Sequence, residues 1–208
     1  MKETLNLGLR LALICGLAAL LLSRVDAATR GPIQEAMRRA QMEAVSAVLP
    51  PYTNAPDADR VALGPADAPR VYYRGYRGDA PLPVGVAFTG LSERGYSGEI
   101  EFMLGVDAAG RVAGVRLLRH GETPGLGARY ADPALLQRLY VGRSLADTQW
   151  RVKADGGDVD AVTGATVTGR ALAEAIGDAL TRYAADSTAV ADAPRGASPA
   201  PASEEALP

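Results

Sequence analysis

The sequence predicts an α+β domain with antiparallel strands and flanking helices, placed behind one N-terminal transmembrane helix. Three observations indicate this class: an apolar run near the N-terminus, four short strand-like segments in the middle of the chain, and one long amphipathic segment after them. The 208 residues suffice for one ordinary domain with appendages. Since 48% of them are hydrophobic and 22% are charged, most of the chain is expected to bury a core.

The apolar run covers residues 5–22, and its uncharged part, residues 11–23, is short enough for a cleaved signal peptide. Val25-Asp26-Ala27 offers a small-residue cleavage site. If Arg10 reaches the headgroups, the run spans roughly 27 Å and suffices for a membrane anchor. A buried core helix is a third interpretation. Lys2 and Arg10 favour an N-terminus inside the cell, with the remainder exported.

Residues 31–70 are expected to form a helix and an irregular lead-in. Gly31-Pro32 opens the helix, whose apolar residues recur every three or four positions, and Pro50-Pro51 ends it. Residues 52–70 are rich in Ala, Asp and Pro and are expected to be a loop.

Four strands and two helices are predicted in the main domain. The strands cover residues 71–76, 84–89, 99–106 and 111–119, and Asp107-Ala-Ala-Gly110 joins the last two as a hairpin. Asp132-Pro133 begins a short helix that ends at about Tyr140, and residues 150–153 suggest another strand. An apolar stripe predicts a helix over residues 168–183, and residues 186–208, rich in Ala, Pro, Ser and Glu, are expected to be a disordered tail.

The reactive side chains are few, since the chain has one Cys (Cys15), one His (His120) and one Trp (Trp150). These numbers exclude a disulfide within the chain, a Cys-ligated iron–sulfur cluster and a Cys/His zinc site, and no metal ligands are predicted. The net charge is −2, although 20 of the 22 basic residues are Arg, so nucleic acid is not an expected partner. Redox or group-transfer chemistry would therefore require a cofactor.

Two segments carry the candidate chemistry. Asp160-Ala-Val-Thr-Gly-Ala-Thr166 leads into the long helix, whose N-terminus would stabilise a phosphate, with Arg170 adding charge. The purely structural alternative is a compact turn in which a Thr caps the helix. The second segment, residues 120–127, is a glycine-rich loop that leaves Leu126 exposed unless a flat aromatic ligand packs on it or the residue turns into the core. For His120, a structural role in hydrogen bonding is a simpler interpretation than a role as proton donor.

Together these segments resemble a family of covalent FMN-binding domains. Residues 160–166 match the Asp-x-x-Ser/Thr-Gly-Ala-Thr pattern on which a flavin transferase attaches FMN, and residues 122–127 look like the second hallmark of the family. Residues 95–100 and 107–112 resemble the strand and hairpin between them, and the likeness runs from about Val71 to Tyr183. Leu139-Tyr140 stands where this family leads us to expect Phe, and the tail has no counterpart that we can name.

The resemblance implies a role for each site residue. Thr166 would carry FMN through a phosphoester, while Glu122, Thr123, Leu126 and Gly127 would line the isoalloxazine. Asp160, Thr163, Gly164 and Ala165 would shape the attachment turn, with Asp160 contributing to recognition by the transferase. Lys153 is a possible electrostatic partner of reduced flavin, and no residue is assigned a catalytic role.

With its single span and its length, the chain resembles the G subunits of Rnf (Rsx) electron-transport complexes. The related C subunits of sodium-pumping NADH:quinone reductases are usually longer. The likeness implies a retained anchor over residues 1–30 in a bacterial inner membrane and a periplasmic FMN-binding domain over residues 71–185. It implies an electron carrier without independent activity, whose complex couples ferredoxin:NAD electron transfer to ion translocation. The implied partners are other membrane subunits, the flavin transferase and membrane lipid.

Three alternatives remain open at this level. The chain could be the corresponding subunit of the quinone reductase, an exported binding or scaffold domain without cofactor, or an independent tethered flavoprotein reductase.

Overall fold

The computed structural model describes residues 2–65 and 67–196. The elements follow one another as α1 (Lys2–Val48), β1 (Arg60–Leu63), β2 (Arg70–Gly75), β3 (Gly85–Gly95), β4 (Gly98–Asp107), β5 (Val112–His120), α2 (Pro133–Tyr140) and α3 (Thr166–Asp192). The five strands form one antiparallel sheet in chain order. This arrangement confirms the predicted α+β class, with flanking helices and one apolar N-terminal helix.

Helix α1 is continuous, so the predicted helix start at Gly31-Pro32 is wrong: Pro32 lies inside the helix. Helix-forming residues continue on both sides of the proline, and Arg30 forms an ion pair of 2.6 Å with Asp26 across the turn before it. The apolar part of α1 has a mean hydropathy of 1.9, and the helix is long and apolar enough to cross a membrane. The side chains of this apolar part are exposed. The interpretation of this run as a buried core helix is therefore wrong.

The last residues of α1 and the segment after it lie on the sheet at positions occupied by glycine. A Cβ on Gly105 would stand 2.0 Å from the carbonyl oxygen of Val48, and one on Gly114 would stand 2.7 Å from the Cα of Val48. A Cβ on Gly85 would stand 2.6 Å from Cδ of Pro50. At Gly105 and Gly114, backbone therefore packs directly against the backbone of Val48, which only glycine allows.

Two predictions between the main elements need correction. The expected loop over residues 52–70 contains β1, a short edge strand that pairs Arg60 with Tyr73 and Leu63 with Arg70. The expected strand over residues 150–153 is a single bridge between Val152 and Val159, because the chain turns away into a 3₁₀ turn over Lys153–Asp155. The hairpin at Asp107 is confirmed: its carboxylate accepts hydrogen bonds from the N–H groups of Ala109 and Arg111.

Helix α3 begins two residues earlier than predicted and extends to Asp192, so the disordered tail is wrong for residues 186–192. Side-chain contacts explain the extension: Asp186 accepts hydrogen bonds from Arg70 and from the hydroxyl of Tyr72. The buried guanidinium of Arg74 donates to the carbonyls at the end of the helix, those of Val190, Ala193 and Pro194. The remaining tail, residues 197–208, lies outside the described residues.

The core lies between the sheet, α3 and α2. The apolar stripe of α3, including Leu172 and Ile176, packs on β3, and Tyr183 stacks on Phe88 with ring centroids 5.2 Å apart. Helix α2 packs on β5, and the side chain of Asp132 caps it by accepting from the N–H of Ala134, as predicted. This packing brings the start of α3 next to the β3–β4 turn and the loop after β5.

Candidate functional site

A cavity of about 440 Å³ opens where the start of α3 meets the loop after β5 and the β3–β4 turn. Its volume lies in the range of about 300–1,000 Å³ that is typical of small-molecule sites. It is lined by Tyr96, Glu122, Thr123, Leu126, Gly127, Gly164, Ala165, Thr166, Val167 and Thr168. Seven of the ten residues predicted for the site, including Thr166, are thus brought together around one cavity.

The cavity lies at the N-terminal end of the axis of α3. Thr166, Val167 and Thr168 all line it, although successive helical residues point about 100° apart, so the cavity must face the end of the helix. The first helical bond here runs from the N–H of Gly169 to the carbonyl of Ala165. The N–H groups of residues 166–168 therefore have no helical acceptor, and the positive end of the helix dipole faces the cavity.

The helix start does not fit the alternative of an ordinary Thr cap. The N-cap residue is Ala165, which has no hydroxyl, and the first turn of α3 contains no acidic residue. The N–H of Ala165 closes a turn onto the carbonyl of Val162 at 2.9 Å, with Gly164 at a φ of 82°. Glycine adopts that conformation without strain, which explains its place in the motif.

The three remaining residues predicted for the site, Lys153, Asp160 and Thr163, lie outside the cavity lining. Thr163 is exposed in the turn. Lys153 and Asp160 form an ion pair of 2.9 Å with each other, and both side chains are more than half exposed. Arg170, considered as an additional phosphate contact, instead binds both carboxylate oxygens of Asp155.

The loop after β5 presents an apolar side chain to the cavity. A turn closes from the N–H of Leu126 to the carbonyl of Thr123 at 3.2 Å, with Gly125 at a φ of 77°. Leu126 is 46% exposed, so the alternative that it turns into the core is wrong. Tyr96, 70% exposed, and Val167, 43% exposed, line the same cavity and add apolar surface to its wall.

Below this wall lies a buried polar pair, Glu122 and Thr168. Glu122 is 5% exposed; its Oε2 accepts from the hydroxyl of Thr168 at 2.5 Å and its Oε1 accepts from the N–H of Ser97 at 3.1 Å. A Cβ on Gly127 would stand 2.3 Å from that Oε2 and 2.6 Å from the Thr168 oxygen. Gly127 is therefore required by the close packing of this pair.

Tyr130 connects the two motif segments. Its buried hydroxyl accepts a hydrogen bond of 2.9 Å from the N–H of Val162, and burial raises the pKa of this phenol. The same oxygen would stand 2.4 Å from a Cβ on Gly169. The segment after β5 thus supports both the turn that precedes α3 and the first turns of α3.

Sequence reasoning did not assign Tyr96, Val167 and Thr168 to the cavity. The exposed aromatic residue in the tight turn Gly95-Tyr96-Ser97-Gly98 was a usable signal for Tyr96. Thr168 and Val167 could be placed only once the helix was known to begin at Thr166. His120 is not among the lining residues, and its buried Nδ1 has no hydrogen-bond partner among the described residues.

Comparisons of the sequence with known proteins find a domain family and a set of similar subunits. Residues 95–181 match the family model described as FMN-binding domain. The chain is 41% identical over 194 residues to the G subunit of the ion-translocating oxidoreductase complex of Pseudomonas aeruginosa, covering 84% of this chain and 87% of that protein. It is 38% identical over 186 residues to the G subunit of the same name from Cereibacter sphaeroides, covering 85% and 82%.

Among solved structures, the chain is similar to the C subunit of the Na(+)-translocating NADH-quinone reductase from Parabacteroides distasonis. The TM-score is 0.44 and the sequence identity 15%, over 68% of this chain and 77% of that chain. The two sequence relatives are both G subunits, and each alignment covers more than four fifths of both proteins. The chain therefore belongs to the family of G subunits of ion-translocating oxidoreductase complexes, with an FMN-binding domain at residues 95–181.

Proposed function

We propose that the chain is an electron-carrier subunit of an ion-translocating oxidoreductase complex and holds FMN through a phosphoester on Thr166. One observation carries this proposal: Thr166, the first N–H groups of α3, which have no helical acceptor, and an apolar wall meet at a single cavity. The names of the relatives support the complex, and the matched FMN-binding domain supports the cofactor.

The residues present fit FMN in both its parts. A phosphate at the helix start would be stabilised by about 0.3–1 kcal/mol, and by up to about 2 kcal/mol when partly buried. The apolar wall of Tyr96, Leu126 and Val167 offers the surface that a flat ring system requires, and Thr123, which lines the same cavity, brings a hydroxyl able to form hydrogen bonds. Bound there, FMN supplies the redox chemistry, because a flavin passes one or two electrons.

The attachment reaction uses the hydroxyl of Thr166 as nucleophile. An ester bond forms between Oγ1 and the flavin phosphorus while the bond from that phosphorus to its leaving group breaks, and no electrons are transferred. A flavin dinucleotide balances this step, since a nucleoside monophosphate leaves and the hydroxyl proton goes to a base. Asp160 and Lys153, which are exposed and paired beside the turn, are available to a flavin transferase.

We further propose that the complex couples ferredoxin:NAD electron transfer to ion translocation, and that this domain lies on the periplasmic side of a bacterial inner membrane. The apolar part of α1 supports a membrane anchor, and Lys2 and Arg10 before it favour a cytoplasmic N-terminus. A covalent bond would then keep the flavin from being lost into the periplasm.

The cofactor assignment is tested by co-expressing the full chain with a flavin transferase and illuminating a denaturing gel with ultraviolet light. We expect a fluorescent band for the wild type and for Thr166→Ser, and none for Thr166→Ala. Thr188→Ala, a hydroxyl deletion elsewhere on α3, is the matched control and should fluoresce normally. A wild-type protein without fluorescence, and without the added mass of FMN minus water, would refute the assignment.

Location and complex membership have separate tests. Protease added to spheroplasts should digest the domain, and the mature protein should retain residues 1–30. Cleavage after Ala27 would overturn the anchor, whereas protection of the domain in sealed spheroplasts would overturn the periplasmic location. Purification through a tag on this chain should recover the other membrane subunits, and recovery of a single flavoprotein would favour the independent reductase.

A further inference from the structure

Each oxygen of the Glu122 carboxylate accepts a hydrogen bond from a protein donor, and the two donors belong to different elements beside the cavity. Oε1 accepts from the N–H of Ser97, the residue that follows Tyr96 in the β3–β4 turn. Oε2 accepts from the hydroxyl of Thr168, two residues after Thr166 in the first turn of α3. Glu122 therefore joins the β3–β4 turn, which carries Tyr96, to the first turn of α3, which carries Thr166.

The surroundings hold this carboxylate in one orientation. A Cβ on Gly95 would stand 2.8 Å from Oε1, and a Cβ on Gly127 would stand 2.3 Å from Oε2. Glycine at both positions allows the backbone to approach from two sides, and Glu122 remains 5% exposed. Rotation of the side chain toward a ligand in the cavity would break both hydrogen bonds.

We propose that Glu122, acting through Thr168, is a positioning residue that sets where the Thr166 hydroxyl lies relative to the β3–β4 turn that carries Tyr96. The inference rests on the proposed function and adds to the lining role expected for Glu122 a second role, the connection of the β3–β4 turn to the first turn of α3. Hydrogen bonds to a carboxylate are about twice as strong as neutral ones, so this pair is suited to holding a helix end in place.

The expected effect is on the rate of flavin attachment. A misplacement of about 1 Å at a reacting atom can lower a rate on the order of 100-fold. Thr168→Val removes the hydroxyl while keeping the shape of the side chain, and we expect attachment to slow by roughly 10- to 100-fold. Thr168→Ser keeps the hydroxyl and should restore a rate close to that of the wild type.

The experiment uses the full chain in membranes, a flavin transferase and flavin dinucleotide, with fluorescence in the gel followed over time. Thr181→Val is the matched control, because it also deletes a hydrogen-bonded Thr hydroxyl on α3, the one that donates to the carbonyl of Gly177, far from the cavity. It should leave the rate unchanged. The thermal midpoint of each variant is measured in parallel.

Glu122→Gln gives a second, independent measurement. The amide has nearly the same shape but no charge, so it should slow attachment and shift the absorption spectrum and midpoint potential of the flavin that does attach. If Thr168→Val shows no cooperative thermal transition, the attachment rate and spectrum of Glu122→Gln test the positioning role instead. Wild-type rates and spectra in Glu122→Gln, or a wild-type rate in folded Thr168→Val, would refute the inference while leaving Thr166 as the attachment site. Absence of flavin on wild-type Thr166 would instead refute the proposed function.

Discussion

Substituting Gly105 by alanine should destabilise the domain, because the end of α1 lies directly on this glycine. The new Cβ would stand 2.0 Å from the carbonyl oxygen of Val48, whereas ordinary contacts begin at 3.4 Å. Relief of this clash needs a shift of about 1.4 Å in backbone that cannot rotate away, unlike a flexible side chain. Overpacking of this kind costs about 1–3 kcal/mol, and a backbone neighbour places Gly105→Ala near the upper end.

The assay is thermal unfolding of the full chain in detergent, followed by circular dichroism. For a domain of this size about 1 kcal/mol lowers Tm by roughly 2–4 °C, so a cost of about 3 kcal/mol lowers it by roughly 6–12 °C. Gly121→Ala is the control, because its Cβ would meet nothing closer than 3.4 Å and it should leave Tm within about 2 °C. Val48→Ala should not rescue Gly105→Ala, since the clash is with the backbone. An unchanged Tm in Gly105→Ala would refute the close packing of residue 48 on β4.

Four further predictions concern stability and the cavity. Tyr140→Phe should raise the free energy of unfolding by about 1 kcal/mol, because the buried Tyr140 hydroxyl has no hydrogen-bond partner among the described residues. Tyr130→Phe should lower the free energy of unfolding by about 1–2 kcal/mol, because the N–H of Val162 loses its acceptor. Urea unfolding that reversed the two signs would contradict both expectations. Hydrogen bonds from Arg70 and Tyr72 lower the pKa of Asp186, so its contribution to stability is present above the usual aspartate pKa near 4 and is lost as the pH falls. Asp186→Asn should therefore weaken the fall of Tm at acidic pH. A fall of Tm identical to that of the wild type would count against this role of Asp186. Leu126→Asp should place a charge on the apolar wall and change the flavin absorption spectrum while Thr166 remains modifiable, whereas an unaltered spectrum would show that the ring packs elsewhere.

The sequence allowed the local elements to be predicted well where one pattern dominated. The alternation from Ile100 to Val106 predicted β4, and the Asp132-Pro133 pair predicted the start of α2. Edge strand β1 escaped prediction because its four residues show no alternation of their own and depend on pairing with β2. The extension of α3 depends on Asp186, whose partner Arg70 is 116 residues away in the sequence and cannot be found from local composition.

The same distinction holds for the site. The two motifs identified Thr166, Glu122 and Leu126, which the fold places around one cavity, but they could not show the direction of each side chain. Glu122 faces the protein rather than solvent because Thr168 and Ser97 bind it, and both donors come from elements distant in sequence. Lys153 was predicted from the sign of its charge alone, and Asp160 satisfies that charge outside the cavity.

The contacts of Arg74 with the end of α3 have a practical consequence for handling the protein. Helix α3 has 27 residues and is therefore roughly 40 Å long, with the cavity at its first turn and the guanidinium at its last. The described chain ends at Gly196, whose N–H donates to Asp59 beside that guanidinium. A reporter joined at the end of α3 would stand about 40 Å from Thr166, at the opposite end of the helix from the cavity. The last turn of α3 is accordingly the preferred place to tether this protein for time-resolved measurements of the flavin loading proposed for Thr166.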